Sequence, residues 1–301
     1  MKIINSGFFT LIEDLGREGK AHWGVSTSGA VDKFALRFAN RLVNNNDNAA
    51  GLEITVTGPE IIFSSSVTIA FVGGCVHPLL DGVPVPMLAP VQVKAGQRLV
   101  VGQLISGLRT YLAISGGIIA NKVFDSCSYD TLSGLGNKPI QTGDVLEIGT
   151  IGQKSHFPAT IVPQKESFIV RVILGPRDNW FENTNKLFSN YKVGQDSNRV
   201  GLRLNGTPLE RKTDFKKIEL PSEGVVPGSI EIIPNGQPIV LLADAQNLGG
   251  YPVIGVVATV DFAILAQLKP GDSVSFKEIS RSSAIKELQK REERLTNLWY
   301  G

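Results

Sequence analysis

Two short apolar runs, each closing on an aspartate, constrain the fold of this chain most. Pro238-Ile239-Val240-Leu241-Leu242-Ala243 ends on Asp244, and residues 253–260 end on Asp261. Short apolar runs bounded by Gly, Pro and Asn read as buried strands. A carboxylate at the end of such a strand is either exposed there or buried and paired, because an unpaired buried charge is too costly. Between the runs lies Ala245-Gln246-Asn247-Leu248-Gly249-Gly250-Tyr251-Pro252. Its Gly-Gly pair lets the backbone approach something closely or take a positive φ. Polar side chains and bare backbone on a loop held by rigid strands make a candidate binding site.

The same punctuation runs through the rest of the chain. With 32 Gly and 16 Pro in 301 residues, many short apolar segments are set apart. The prediction is a mostly β protein with a few helices. Residues 1–12, 52–56, 60–63, 67–72 and 168–174 read as strands, and 13–29 as a polar, glycine-rich loop. Residues 90–101 alternate apolar and polar around a glycine turn, as a hairpin does, and the form returns at 140–148 and 268–276. Gly51-Leu52-Glu53-Ile54 is echoed by Gly201-Leu202-Arg203-Leu204. These echoes suggest two related β domains. The spacing from Gly51 to Gly201 differs from that between Gly143 and Gly271, so the residues alone support a weak repeat.

Helices are expected at 31–43, 178–188 and 282–299. In the first, Phe34, Leu36, Phe38, Ala39 and Leu42 give an apolar face, and Asp32 in the first turn suits the positive end of the helix dipole. In the last, Ile285, Leu288, Leu295 and Leu298 mark an apolar stripe expected to dock on its own domain. The segment 152–166, with Pro158 and Pro163, is the expected join.

Composition narrows the function. A formal net charge of +2 gives no reason to invoke nucleic acid or membrane. No apolar stretch approaches the roughly 20 residues of a spanning helix. The N-terminus lacks the long apolar segment of a signal peptide, so a cytoplasmic location is expected. Two distant cysteines, Cys75 and Cys127, argue against a disulfide framework, and three histidines against a histidine metal site. No metal ligands are predicted. Neither a phosphate loop of the Gly-x-x-x-x-Gly-Lys-Ser/Thr type nor a Gly-x-Ser-x-Gly elbow is present.

Three polar groups stand out. Asp14 and Arg17 flank Leu15-Gly16; they could pair, or Arg17 could present its planar fork to a carboxylate or phosphate. Asn198-Arg199 precedes the 200–204 strand, as a bracing turn or an anion contact. Ser222-Glu223, Asp244 and Tyr251 form the third, with turn hydrogen bonding, a paired core carboxylate and a packed ring as the plain alternatives. In a catalytic reading, Glu223 or Asp244 serves as general base or metal anchor, and Arg17 and Arg199 as anion clamps.

Several blocks taken together resemble the allophanate hydrolase subunit 2 family: Ser222-Glu223-Gly224, Pro227-Gly228-Ser229, Asn235-Gly236-Gln237-Pro238-Ile239, Asp244-Ala245-Gln246 with Gly249-Gly250-Tyr251-Pro252, Asp14-Leu15-Gly16-Arg17, Ser28-Gly29-Ala30-Val31-Asp32, and residues 197–204. That family includes the C subunit of the bacterial ATP-dependent 5-oxoprolinase, an antagonist of a sporulation-kinase inhibitor, and half of the carboxyltransferase domain of urea amidolyase. The resemblance implies two cyclophilin-like β-barrel domains, at 1–155 and, with the terminal helix, 165–301. It implies catalytic candidates Glu223 and Asp244, and substrate- or nucleotide-binding candidates Asp14, Arg17, Ser28, Asp32, Asn198, Arg199, Ser222, Gly249, Gly250 and Tyr251. For the 5-oxoprolinase member it implies ATP, with Mg2+, a small amide substrate, and partner proteins like that enzyme's B and A subunits. A regulatory protein that binds a kinase inhibitor is the alternative, and a carboxyltransferase of the urea amidolyase type the third. Biotin is not expected, because no Met-Lys-Met-type biotinylation sequence is present. Glu13 and Glu231 stand where the family pattern has glutamine, and Asn247-Leu248 where it has two threonines.

Overall fold

The computed structural model describes residues 1–150 and 168–300, the last four without their side chains. The expected join at 152–166 lies outside the described residues. The protein is mostly β, with three α-helices among the described residues, α1 (Lys33–Leu42), α2 (Phe262–Gln267) and α3 (Arg281–Tyr300). By contacts it divides into two compact units. The first takes in Met1–Arg17, 28–150 and the chain from Arg294, and the second takes in Glu18–Thr27 and 168–293.

The first unit holds two five-stranded sheets. One runs Lys2–Asn5, Glu60–Ile62, Arg98–Val100, Leu79–Leu80, Val83–Pro84; the other runs Phe9–Glu13, Gly51–Thr55, Ser106–Ile114, Val67–Cys75, Val91–Val93. The second sheet is covered on both faces. Ile69, Phe71, Leu112 and Ile114 pack into the cluster that also holds Ile3, Ile61 and Leu99 of the first sheet. The alternate residues Ala70, Val72, Tyr111 and Ala113 pack under Leu36, Phe38 and Leu42 of α1. A strand buried on both faces needs no polar alternation, which is why these segments read as continuous apolar runs. Helix α1 starts where Asp32 caps it, its carboxylate accepting the Ala35 N–H at 2.9 Å. Leu295 lies in the same cluster as α1, wholly buried, while Ile285 of the expected stripe is 46% exposed.

In the second unit seven strands close a barrel, in the order Ile169–Leu174, Val253–Val257, Ser229–Ile232, Pro238–Leu241, Gly201–Asn205, Asn190–Val193, Ser273–Glu278. The closing pair, Ile169–Leu174 with Ser273–Glu278, is parallel. The helix expected at 178–188 is two short 3-10 turns, Asp178–Trp180 and Thr184–Phe188.

The three glycine-centred repeats are not hairpins. Around Gly96, Val91–Val93 pairs with Val67–Cys75, whereas Arg98–Val100 joins the other sheet. Around Gly143, Ile140 donates to Thr10 and Gly143 to Ile3. Strand Ser273–Glu278, after Gly271, lies between Ile169–Leu174 and Asn190–Val193. What repeats is one turn. The fourth residue donates its N–H to the carbonyl of the first (Gln97 to Lys94, Asp144 to Gln141, Asp272 to Lys269), and its side chain accepts the N–H of the first at 2.7–3.0 Å. The glycine is third, with φ between 86° and 97°, as a type II turn requires. Such a turn splays the strands it joins, unlike the primed turns of tight hairpins.

Candidate functional site

Both aspartates that close the apolar runs are buried and paired. Asp244 is wholly buried and takes Arg199 in a two-pronged contact, Nε to Oδ2 at 2.8 Å and Nη2 to Oδ1 at 3.1 Å. Asp261 accepts from the Arg171 backbone N–H at 2.7 Å and from its guanidinium at 2.5–3.2 Å. The Arg199 fork is therefore taken up by a buried carboxylate of its own chain. Asn198 makes a bracing turn, its Oδ1 accepting from the N–H of Val200 at 2.8 Å.

In the first unit, Asp14 and Arg17 form no ion pair with one another among the described residues. Asp14 instead accepts four hydrogen bonds of 2.6–2.8 Å, from Gly16 N–H, Ser126 and Ser128 hydroxyls, and Cys127 N–H. Arg17 is 1% exposed. Its Nε donates to the Val123 carbonyl at 3.1 Å, its Nη2 to that of Ser128, and its Nη1 is buried without a hydrogen-bond partner among the described residues. Ser28 donates to the Tyr129 carbonyl at 2.9 Å. The Asp32 N–H donates to the Tyr111 hydroxyl at 2.8 Å; that hydroxyl donates to Glu53 Oε2 at 2.8 Å, which also accepts the Val31 N–H at 2.9 Å. Arg109 lies 3.6 Å from Glu53 Oε1. Burial first, then the Glu53 and Asp32 charges, raise the Tyr111 phenol well above its ordinary value, so it stays a donor.

The third group is built differently. Residues 223–225 and 247–249 form a short antiparallel ribbon, with Glu223 opposite Gly249, Gly224 opposite Leu248, and the Val225 N–H donating to the Asn247 carbonyl at 3.0 Å. Side chains alternate across such a ribbon. Glu223, Val225 and Asn247 therefore share the face on which Gly249 has no side chain, and Leu248, 61% exposed, takes the other. A Cβ on Gly249 would lie 2.0 Å from Glu231 Oε1 and 3.0 Å from Val225 Cγ1. That shared face thus looks onto Glu231, in barrel strand Ser229–Ile232. Glu231 pairs with Val253, whose carbonyl accepts the Arg177 N–H at 3.0 Å. Arg177 Nη2 donates to Glu223 Oε2 at 2.9 Å. These contacts close a ring.

Four polar atoms in it are buried and meet no hydrogen-bond partner among the described residues: Arg177 Nε, Glu223 Oε1, Glu231 Oε1 and Asn247 Nδ2. Burial pushes the Glu231 carboxyl up from its ordinary value near 4.5. Ser222, Gly250 and Tyr251 are exposed at the rim. The sequence singled out Ser222, Glu223, Gly249, Gly250 and Tyr251 here, marked Glu231 and Asn247 only as departures from the family pattern, and gave no sign of Arg177. A signal for Glu231 existed, a carboxylate inside the apolar strand Ser229-Ile230-Glu231-Ile232; Glu53 in Leu52-Glu53-Ile54 carries the same signal.

Among the described residues no group of three or more His, Cys, Asp or Glu side chains is placed to hold a metal ion. No described helix is long and apolar enough to cross a membrane.

The pattern of the carboxyltransferase domain, subdomain A and B, matches residues 23–278. The chain is 37% identical over 295 residues to the 5-oxoprolinase C subunit of Escherichia coli (strain K12), covering 96% of this chain and 94% of that one. It is 31% identical over 288 residues to the 5-oxoprolinase C subunit of Haemophilus influenzae, with coverages of 93% and 92%. The crystal structure of the K. lactis urea amidolyase matches with a TM-score of 0.91 at 27% identity, covering 99% of this chain and 20% of that chain.

Proposed function

Since the chain belongs to the family of the carboxyltransferase domain, subdomain A and B, we propose that it is the C subunit of an ATP-dependent 5-oxoprolinase, opening 5-oxo-L-proline to L-glutamate with partner proteins like that enzyme's B and A subunits. The observation that carries this reading is end-to-end correspondence with a relative of that name, 96% of this chain against 94% of the E. coli protein. A lactam is a poor electrophile because its C–N bond shares in the carbonyl resonance. Transfer of the γ-phosphoryl group of ATP to its oxygen removes that resonance and opens the carbon to water; the ring C–N bond then breaks, its nitrogen leaving as the amine, and a second water releases phosphate from the acyl phosphate. The charge that develops on the phosphoryl oxygens needs arginines, backbone N–H groups or Mg2+. Arg199 does not fit that task, since Asp244 occupies its fork, and Arg17 is 1% exposed with two of its nitrogens held by backbone carbonyls. We therefore place ATP with Mg2+ on a partner chain, and the amide substrate here.

The test is glutamate release from 5-oxoproline with ATP by this chain co-expressed with its partners. Release that stops when this chain is left out supports the proposal. A stable complex with no release points instead to a non-catalytic regulator of a partner protein. The match to urea amidolyase favours a second enzymatic reading, carboxyl transfer, in which biotin would arrive on another chain. Avidin-sensitive carboxylation of urea by the same complex would favour it over lactam opening.

A further inference from the structure

We propose that the barrel-facing side of the 223–225/247–249 ribbon is a binding site for a small planar amide, with Asn247 and Arg177 donating to its carbonyl, Glu223 accepting from its N–H, and Glu231 closing the far wall. This deepens the amide-substrate reading above and rests on it.

Buried polar atoms are almost always hydrogen-bonded, and each one left alone costs about 1–3 kcal/mol. Four such atoms on one ring of contacts therefore call for a common partner. The set is mixed: two donors, Asn247 Nδ2 and Arg177 Nε, stand with two carboxyl oxygens, Glu223 Oε1 and Glu231 Oε1. Phosphate offers acceptors alone and would face both carboxyls. A planar secondary amide carries one acceptor and one donor side by side, which suits the set. Burial favours the neutral form of Glu231, which eases its repulsion of Glu223.

The surroundings select further. Val225 belongs to the ribbon face and packs with Leu241, Ala245 and Val253 in one apolar cluster. An amide closed into a ring by methylenes meets that surface better than urea does. The approach lies at the Arg177–Glu223 end, where both side chains keep about a third of their surface exposed (31% and 32%). Gly249 makes the site possible, since any side chain there would displace the Glu231 carboxyl.

The experiment is calorimetric titration of the full chain with 5-oxo-L-proline, and with L-proline, which lacks the lactam carbonyl. We expect 5-oxo-L-proline to bind and L-proline not to. Asn247→Ala and Glu223→Gln should each weaken binding about tenfold. Unchanged affinity in both Asn247→Ala and Glu223→Gln, or no binding by the wild-type chain, overturns the site. Glutamate release by the co-expressed complex separates the two ideas. Normal release with an unaltered KM in Asn247→Ala discards the site and keeps the oxoprolinase reading. Binding that follows the variants, with no glutamate from the wild-type complex, keeps the site and discards that reading.

Discussion

Two glutamates in apolar strands, one in each unit, meet opposite fates. Glu53 is 1% exposed and Glu231 2% exposed. Glu53 is surrounded by its own chain: the Tyr111 hydroxyl, the Val31 N–H and the Arg109 guanidinium face it. Glu231 Oε1 faces a glycine and has no hydrogen-bond partner among the described residues. A buried carboxylate that the protein answers holds the fold, whereas Glu231, left unanswered, is pushed toward its neutral form by burial and is free to answer something else. The same division separates Asp14 and Asp244, whose oxygens are taken, from Glu223, which keeps one oxygen open.

The comparison breaks first if removing an answered pair is harmless. Arg199→Ala strips Asp244 of its two-pronged partner and leaves a buried charge, so urea unfolding should show a loss of about 3–5 kcal/mol. A loss below about 1 kcal/mol would mean that Asp244 does not depend on Arg199. Tyr111→Phe takes the donor from Glu53 and the acceptor from the Asp32 N–H at once; about 1–3 kcal/mol should be lost, with substrate affinity unchanged. If affinity falls instead, the first unit is not purely structural.

Gly249→Ala sharpens the contrast from the other side. Its Cβ would stand 2.0 Å from Glu231 Oε1 and 3.0 Å from Val225, and repacking should cost about 1–3 kcal/mol while 5-oxo-L-proline binding disappears. Retained binding would show that Glu231 does not line the site. The smallest effect is Glu231→Gln on pH dependence. Because burial raises the folded carboxyl above its ordinary value near 4.5, the unfolded chain releases this proton first as pH rises. The stability associated with Glu231 is complete below about pH 4.5 and falls as pH climbs through the raised value. The glutamine variant lacks that loss, so its melting temperature should match the wild type at pH 4 and exceed it by a margin that widens toward neutral pH. A constant margin would place the cause outside Glu231 ionisation.

The sequence by itself determined the mostly β character, the strands at 52–56 and 60–63, the first and last helices, and the family. Those follow from local periodicity, from Gly and Pro at turns, and from short motifs. It also limited Asp244 to two states, exposed or paired. Tertiary structure decided which, because Arg199 lies 45 residues away along the chain and 2.8 Å away in space. The three repeated turns show the same boundary: sequence marked each Gly correctly as a turn, but the partners of the flanking strands are set by which sheet can bury their apolar faces. Whether a polar side chain is answered is likewise a property of its neighbours. Glu53 and Glu231 look alike in the chain, and only the packing of distant strands supplied Tyr111 to one and the empty face of Gly249 to the other.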